Sequence, residues 1–375
     1  MTGRPEADRD IRRLLRPELE AMPGYEAIEP PDQLARRLGI PPERIVKLDG
    51  NENPFGPSPK ALEALAEYRG YHIYPDPLQR EAREALSRFL GIPFDQIVFG
   101  TGSDEIMDLV LRAFLAPGDG VINCPPTFGM YPFLTRVAGA RLIDVPRRGD
   151  FSLDLMAIRT VAREAKVIFV ASPNNPTGNV ISEADLDALL ATGLVVVVDE
   201  AYVEFADSGS FAGRIAEGLN LIVLRTFSKW AGLAGLRVGY GIFPPSVAEV
   251  VLKIKQPYNL NVAAQAAMLA SLADVELLQE RVRMLVAERE ELSRALARVS
   301  YLQPLPSRAN FILCRIDGID AGTLQQELRG RGIMVRRPDA AVLRDYLRIS
   351  VGLPEHRRAL IEALNEIGGS RGASR

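Results

Sequence analysis

Residues 193–205 read GLVVVVDEAYVEF, and the four consecutive valines at 195–198 decide the architecture. A run that is apolar on both faces is a strand covered on both sides, which implies a sheet interior flanked by helices. Asp199 follows directly, so the strand delivers a carboxylate to the carboxyl edge of the sheet, where ligands of open α/β folds bind. Working outward, similar short runs are QIVFG (96–100), GVINC (120–124), RLIDV (141–145) and KVIFVAS (166–172) upstream. NLIVLRTF (220–227) and GYGIF (239–243) follow downstream. Helical stretches such as DEIMDLVLRAFL lie between most of them, and this alternation predicts an α/β domain with a mostly parallel sheet covered by helices.

After about residue 256 the texture changes. Residues 263–298 have a helical pattern, expected to be one long linking helix or a pair. ANFILCRI, GIMVRR and YLRISVG then look like strands of a smaller α/β domain, closed by the helix HRRALIEALNEI. The expected division is an N-terminal arm at 1–45, packed on the small domain or on a partner, and a large domain at 46–255. The linking helix and small C-terminal domain occupy 256–375, with the closing GGSRGASR as a disordered tail.

The chain's 375 residues exceed what one hydrophobic core comfortably serves. A net charge of −3 and a pI near 5.7 argue against nucleic acid as the main partner. The polar, charged N-terminus lacks the apolar core of a signal peptide, and no run approaches the roughly 18 apolar residues of a membrane span. A soluble, cytoplasmic protein is expected. Cys124 and Cys314 are expected to be packed, reduced thiols, with a disulfide as the weaker alternative. His72 and His356 are the two histidines, far apart in sequence, and no metal site is expected.

Four segments carry candidate chemistry. In LRTFSKWAGLAGLRVGY (224–240), Lys229 follows a buried strand, where desolvation lowers an amine's pKa and frees a nucleophile. Thr226, Ser228 and Arg237 nearby suit a phosphate. The same segment also fits a surface loop with an ordinary lysine. In DEAY, a buried Asp199 needs a cationic partner such as a pyridinium nitrogen, and Tyr202 could reach a phenolic oxygen; a helix-capping aspartate is the plainer alternative. In SPNNPTG (172–178), the Asn175 amide can donate to the same oxygen, or the turn uses Asn, Pro and Gly for backbone reasons alone. In FGTGSDEI (99–106), Gly102, Ser103 and Asp104 open a helix whose free N–H groups form an anion cup. No Gly-Lys-Ser/Thr follows, so this is not a nucleotide P-loop.

The four segments together, in this order, resemble the fold-type I pyridoxal-5′-phosphate (PLP) aminotransferases: NPTG, DEAY, TFSK and an arginine eight residues after the lysine. The resemblance covers about residues 22–365. It implies that Lys229 carries PLP covalently and later moves the proton at the substrate α-carbon. It implies further that Asp199 holds the ring nitrogen and that Asn175 and Tyr202 bind the ring oxygen. Phe128 of CPPTFGMY would stack on the ring. The phosphate would sit at Gly102, Ser103, Asp104, Thr226, Ser228 and Arg237. Tyr74 of YPDP would reach the partner subunit's cofactor phosphate, which implies a homodimer with shared active sites. Within the family, KLDGNENPFGPSPKAL, PSRANF, GIMVR and LRISVG are similar to the histidinol-phosphate aminotransferases. That likeness implies Arg336, Arg348, Asn175 and Tyr25 as substrate-binding residues, with a small-molecule amino donor and a 2-oxo acid as reactants. Alternatives are an aromatic amino acid aminotransferase, a threonine-phosphate decarboxylase and, in another class, a non-catalytic aminotransferase-like sensor.

Overall fold

The computed structural model describes residues 11–22, 24 and 29–372. After a first strand, β1 (Val46–Leu48), seven strands build the main sheet: β2 (Ile97–Thr101), β3 (Gly120–Asn123), β4 (Arg141–Asp144), β5 (Val167–Ala171), β6 (Val195–Asp199), β7 (Leu221–Thr226) and β8 (Val238–Ile242). Their order across the sheet is β2-β8-β7-β6-β5-β3-β4. All seven expected runs form strands of this one sheet. Every residue of β5 is buried, as are Val196, Val197 and Val198 of β6, so apolar side chains cover both faces. That two-sided burial is why these strands carry no alternation.

β8 is antiparallel to both its neighbours, whereas the other pairings are parallel. That reversal decides where Arg237 stands. It lies just before β8, and the reversed direction brings the start of β8 to the edge where β6 and β7 finish.

The C-terminal part holds a second, antiparallel sheet of β9 (Leu302–Pro304), β10 (Phe311–Ile316) and β12 (Tyr346–Ser350). The remaining strand, β11 (Ile333–Val335), pairs in parallel with β1, Val46 facing Ile333 and Leu48 facing Val335. The chain at 46–48 is therefore hydrogen-bonded to the C-terminal part, and a large-domain boundary at residue 46 does not describe it. Before β1, Glu29 pairs with Arg329 and with Arg37, so this end of the arm is also tied to the C-terminal part. The helical region is a pair, Val262–Ala273 and Val275–Leu296, broken at Asp274; the first packs against the helix Pro59–Glu67. The closing helix runs Pro354–Gly372, so the backbone of 368–372 continues it and is not a disordered tail. Gly368 lies close against the Tyr301 ring, and Tyr301 Oη donates to Leu364 O at 2.6 Å, which holds this end in place.

Both cysteines are free and buried. Among the described residues no helix is long and apolar enough to cross a membrane. Arg289, 4% exposed, donates to Phe205 O and Ala309 O and so ties the long helix to both parts.

Gly239 of β8 marks the tightest approach near the site. A Cβ there would stand 2.1 Å from Ser103 N and 2.3 Å from Gly102 C, both backbone atoms that cannot turn aside. Gly239→Ala is expected to lower stability by about 1–3 kcal/mol through overpacking, read as a reduced urea midpoint. An unchanged midpoint would show that the β2–β8 edge yields freely.

Candidate active site

A cavity of about 140 Å³ opens at the edge where β5, β6 and β7 end. Asp199, the last residue of β6, lies at its base and is 4% exposed. Its Oδ2 accepts the Tyr131 hydroxyl at 2.7 Å and its Oδ1 accepts Ala201 N–H at 3.1 Å. Among the described residues no Lys or Arg forms an ion pair with it. Burial pushes its pKa up to about 6, against the lowering effect of those two hydrogen bonds.

Tyr131 was not anticipated. It is fully buried, stacked on Phe169 at 5.1 Å, and stands edge-on to Phe128, a wall of the cavity, at 5.6 Å. In sequence it looks like one more core aromatic. Its nearness to Phe128 was the available signal.

Lys229 comes three residues after the end of β7, and its Nζ donates to Gly50 O at 3.1 Å. Burial lowers its pKa to about 8, and the positive charges of Arg348 and Arg237 add to the effect. A usable share of neutral amine is therefore present near neutral pH. Thr226 Oγ1 lies 2.9 Å from Ser228 Oγ and accepts Ser228 N–H at 3.0 Å, which clusters two hydroxyls on the cavity wall.

Across from them the helix Ser103–Phe114 begins, and Ser103 and Asp104 line the cavity with Arg237. Arg237 has a left-handed φ of +56°. It donates to Asp104 Oδ2 at 3.0 Å and to Ala234 O at 3.2 Å. Gly102 does not line the cavity but lies directly against this guanidinium: with φ +77°, a Cβ there would sit 2.3 Å from Arg237 Nη2. The left-handed φ calls for glycine, and the absent side chain leaves room for the guanidinium. Burial raises the Asp104 pKa.

Asn175 and Tyr202 complete the lining. Asn175 Oδ1 accepts from Arg348 Nη1 at 2.8 Å, and Arg348 also donates to Asp49 O. Tyr202 Oη accepts from Asn51 Nδ2 at 3.1 Å. Arg348 and Arg336 face each other across a β-bridge, joined by backbone bonds of 2.7 and 3.0 Å. Arg336 lines a second, larger cavity of about 790 Å³ together with Asp49, Arg337 and Arg344. Tyr25 lies outside the described residues.

Tyr74 is not at this chain's cavity. It is 77% exposed and stacks on Tyr258 at 4.4 Å. The loops bearing this pair converge on Lys255, whose Nζ lies within hydrogen-bond distance of Pro77 O, Gln256 O, Pro257 O and Asn259 Oδ1, at 2.8–3.2 Å. No cluster of metal-binding side chains occurs among the described residues.

The site thus offers a buried carboxylate ion-paired to no described residue, a weakly basic amine and an arginine-and-hydroxyl cup at a helix start. A ligand with a cationic ring nitrogen, an anionic group and a carbonyl open to amine attack would satisfy all three. Residues 43–364 match the model of the family described as aminotransferase class I and II.

The chain belongs to that family.

Among relatives of this aminotransferase, the histidinol-phosphate aminotransferase of Roseiflexus castenholzii is 47% identical, over 95% of this chain and 99% of its own. That of Dehalococcoides mccartyi is 44% identical over 96% and 99%. The crystal structure of the Sinorhizobium meliloti histidinol-phosphate aminotransferase, in complex with PLP, is 30% identical and superposes with a TM-score of 0.85 over 95% of this chain and 98% of that one.

Asp199 generates a pH prediction for the cofactor-free protein. Its folded pKa of about 6 exceeds the unfolded value of 3.8, so between these values the folded state binds more protons and stability falls as pH rises. Asp199→Asn removes that penalty. Its Tm is expected to exceed the parent's by a few degrees at pH 8, with the gap closing toward pH 4. A lower Tm at pH 8 would contradict the account of an uncompensated carboxylate.

Proposed function

We propose that this aminotransferase converts L-histidinol phosphate and 2-oxoglutarate to imidazole-acetol phosphate and L-glutamate, with PLP bound at the Lys229 cavity. The observation that carries the cofactor assignment is the buried Asp199, ion-paired to no Lys or Arg among the described residues, in one cavity with Lys229 and the Arg237 cup. Identity of 44–47% to histidinol-phosphate aminotransferases over nearly whole chains supports the substrate.

Bound there, PLP would supply an electron-withdrawing ring able to take up the charge left at the substrate α-carbon. Asp199 holds the proton on the ring nitrogen and keeps that ring cationic. Tyr202 and Asn175 hydrogen-bond the ring oxygen, and Phe128 covers one ring face. Gly102, Ser103, Asp104, Thr226, Ser228 and Arg237 form the phosphate cup, where Gly102 acts by letting Arg237 approach. Lys229 Nζ holds the cofactor between turnovers and moves the proton at the substrate α-carbon. Its lowered pKa favours both tasks.

Arg348 and Arg336, with Asn175 and Tyr25, receive the anionic end of the substrate. Two arginines side by side suit a phosphate monoester in one half-reaction and a carboxylate in the other. The exposed Tyr74 reaches the partner subunit's cofactor phosphate in a cytoplasmic homodimer with shared sites.

The test is the absorbance spectrum of the purified, PLP-loaded protein, taken before and after adding L-histidinol phosphate without a keto acid. The band of lysine-linked cofactor is expected to give way to the shorter-wavelength band of the aminated cofactor. A response to phenylalanine and none to histidinol phosphate would keep the aminotransferase and remove this substrate. Lys229→Ala is expected to keep its fold by circular dichroism while turnover falls by at least about 10⁴-fold. Retained turnover would overturn the assignment of Lys229.

A further inference from the structure

Asn51 is 1% exposed and carries a left-handed φ of +53°, a conformation that glycine adopts most cheaply. An asparagine there spends its side chain on something. Its backbone N–H donates to Ser350 Oγ at 2.9 Å, and its carbonyl accepts from Asn310 Nδ2 at 2.9 Å. Ser350 Oγ, having accepted that N–H, donates its own hydrogen to Asn51 Oδ1 at 2.7 Å. Oδ1 is therefore the accepting end of the amide, which leaves Nδ2 to donate to Tyr202 Oη at 3.1 Å. A phenol oxygen that accepts from Asn51 has its own hydrogen directed away from Asn51. Tyr202 lines the cavity and is gripped edge-on by Phe311 at 5.1 Å.

The neighbours of Asn51 make the same kind of contact. Gly50 O receives Lys229 Nζ and Asp49 O receives Arg348 Nη2. Residues 49–51 thus form a short strap that touches Lys229, Tyr202 and Arg348, and Asn51 is its one residue to act through a side chain on another side chain of the cavity.

We propose that Asn51 is a positioning residue: anchored on Ser350, it donates to the Tyr202 hydroxyl and thereby turns the phenolic hydrogen toward the ring oxygen of the cofactor. This deepens the PLP reading of the site and rests on it.

Asn51→Asp tests the direction of the bond, because a carboxylate accepts where the amide donated and would draw the Tyr202 hydrogen to itself. The readout is the pH midpoint of the absorbance change of the lysine-linked cofactor. It is expected to rise by about one pH unit, the equivalent of one lost hydrogen bond to the ring oxygen. Asp104, Asp199, Lys229, Arg237 and Arg348 are unchanged in the variant. In a Tyr202→Phe background the same substitution is expected to leave the midpoint where Tyr202→Phe alone puts it. A shift of equal size in that background would mean that the new charge acts directly, and would overturn the proposal. Should Asn51→Asp fail to fold, Asn51→Gly keeps the left-handed backbone and removes the donor. It is expected to lower kcat about tenfold in the parent and not further in Tyr202→Phe. Additive losses, or a parent-like kcat and midpoint, would overturn the proposal. Absence of the lysine-linked band in the parent would instead strike the PLP reading itself, before any variant is compared.

Discussion

A buried carboxylate with no ion-pair partner among the described residues is the constraint on which the rest of this site turns. Charge in a low-dielectric cavity is unfavourable, and Asp199 tolerates it through a tyrosine hydroxyl and one backbone N–H. Lys229 in the same cavity offsets the cost only in part, so a cationic ligand atom at the carboxylate would relieve it further. The valine strand beneath excludes water. Tyr131 holds one oxygen from the protein side, and the remaining space belongs to the ligand. Such a site exchanges intrinsic stability for a strong, specific demand on what binds.

The second organising feature is proximity of backbone. Two glycines, 102 and 239, let the Arg237 guanidinium and a helix start lie against the β2–β8 edge with no side chain between them. On the other wall the strap at 49–51 gives carbonyls to Lys229 and Arg348 and an amide to Tyr202. The strap follows β1 directly, and β1 is hydrogen-bonded to β11. The seating of the C-terminal strands is thus transmitted to the lysine and the tyrosine by a few residues of main chain.

Much of this was legible because a buried parallel strand is a loud signal and its last residue has a known address. Asp199, Asn175, Lys229 and the hydroxyls around it all follow from finding where apolar runs stop. Strand direction leaves no trace in hydrophobic patterning, so the reversal of β8, and with it the true placement of Arg237, was not readable. β11 lies within GIMVRR, which reads as a strand, but β1 is too short for periodicity and its pairing with β11 spans most of the chain, too distant for local rules. Tyr131 and Asn51 were hidden for another reason. Each has an ordinary explanation, a core aromatic or a loop asparagine, and only the fold shows which atom it faces. The C-terminal glycines discouraged a helix that packing against Tyr301 nonetheless extends.

Lys255 has a consequence of its own. Four oxygens surround its ammonium, three carbonyls and an amide, and among the described residues no carboxylate bonds to it. That is the ligand set of an alkali-metal pocket, filled here by a cation tethered to the chain. The tyrosine-bearing loops at 74–79 and 256–259 therefore owe their mutual seating to an ion that cannot diffuse away.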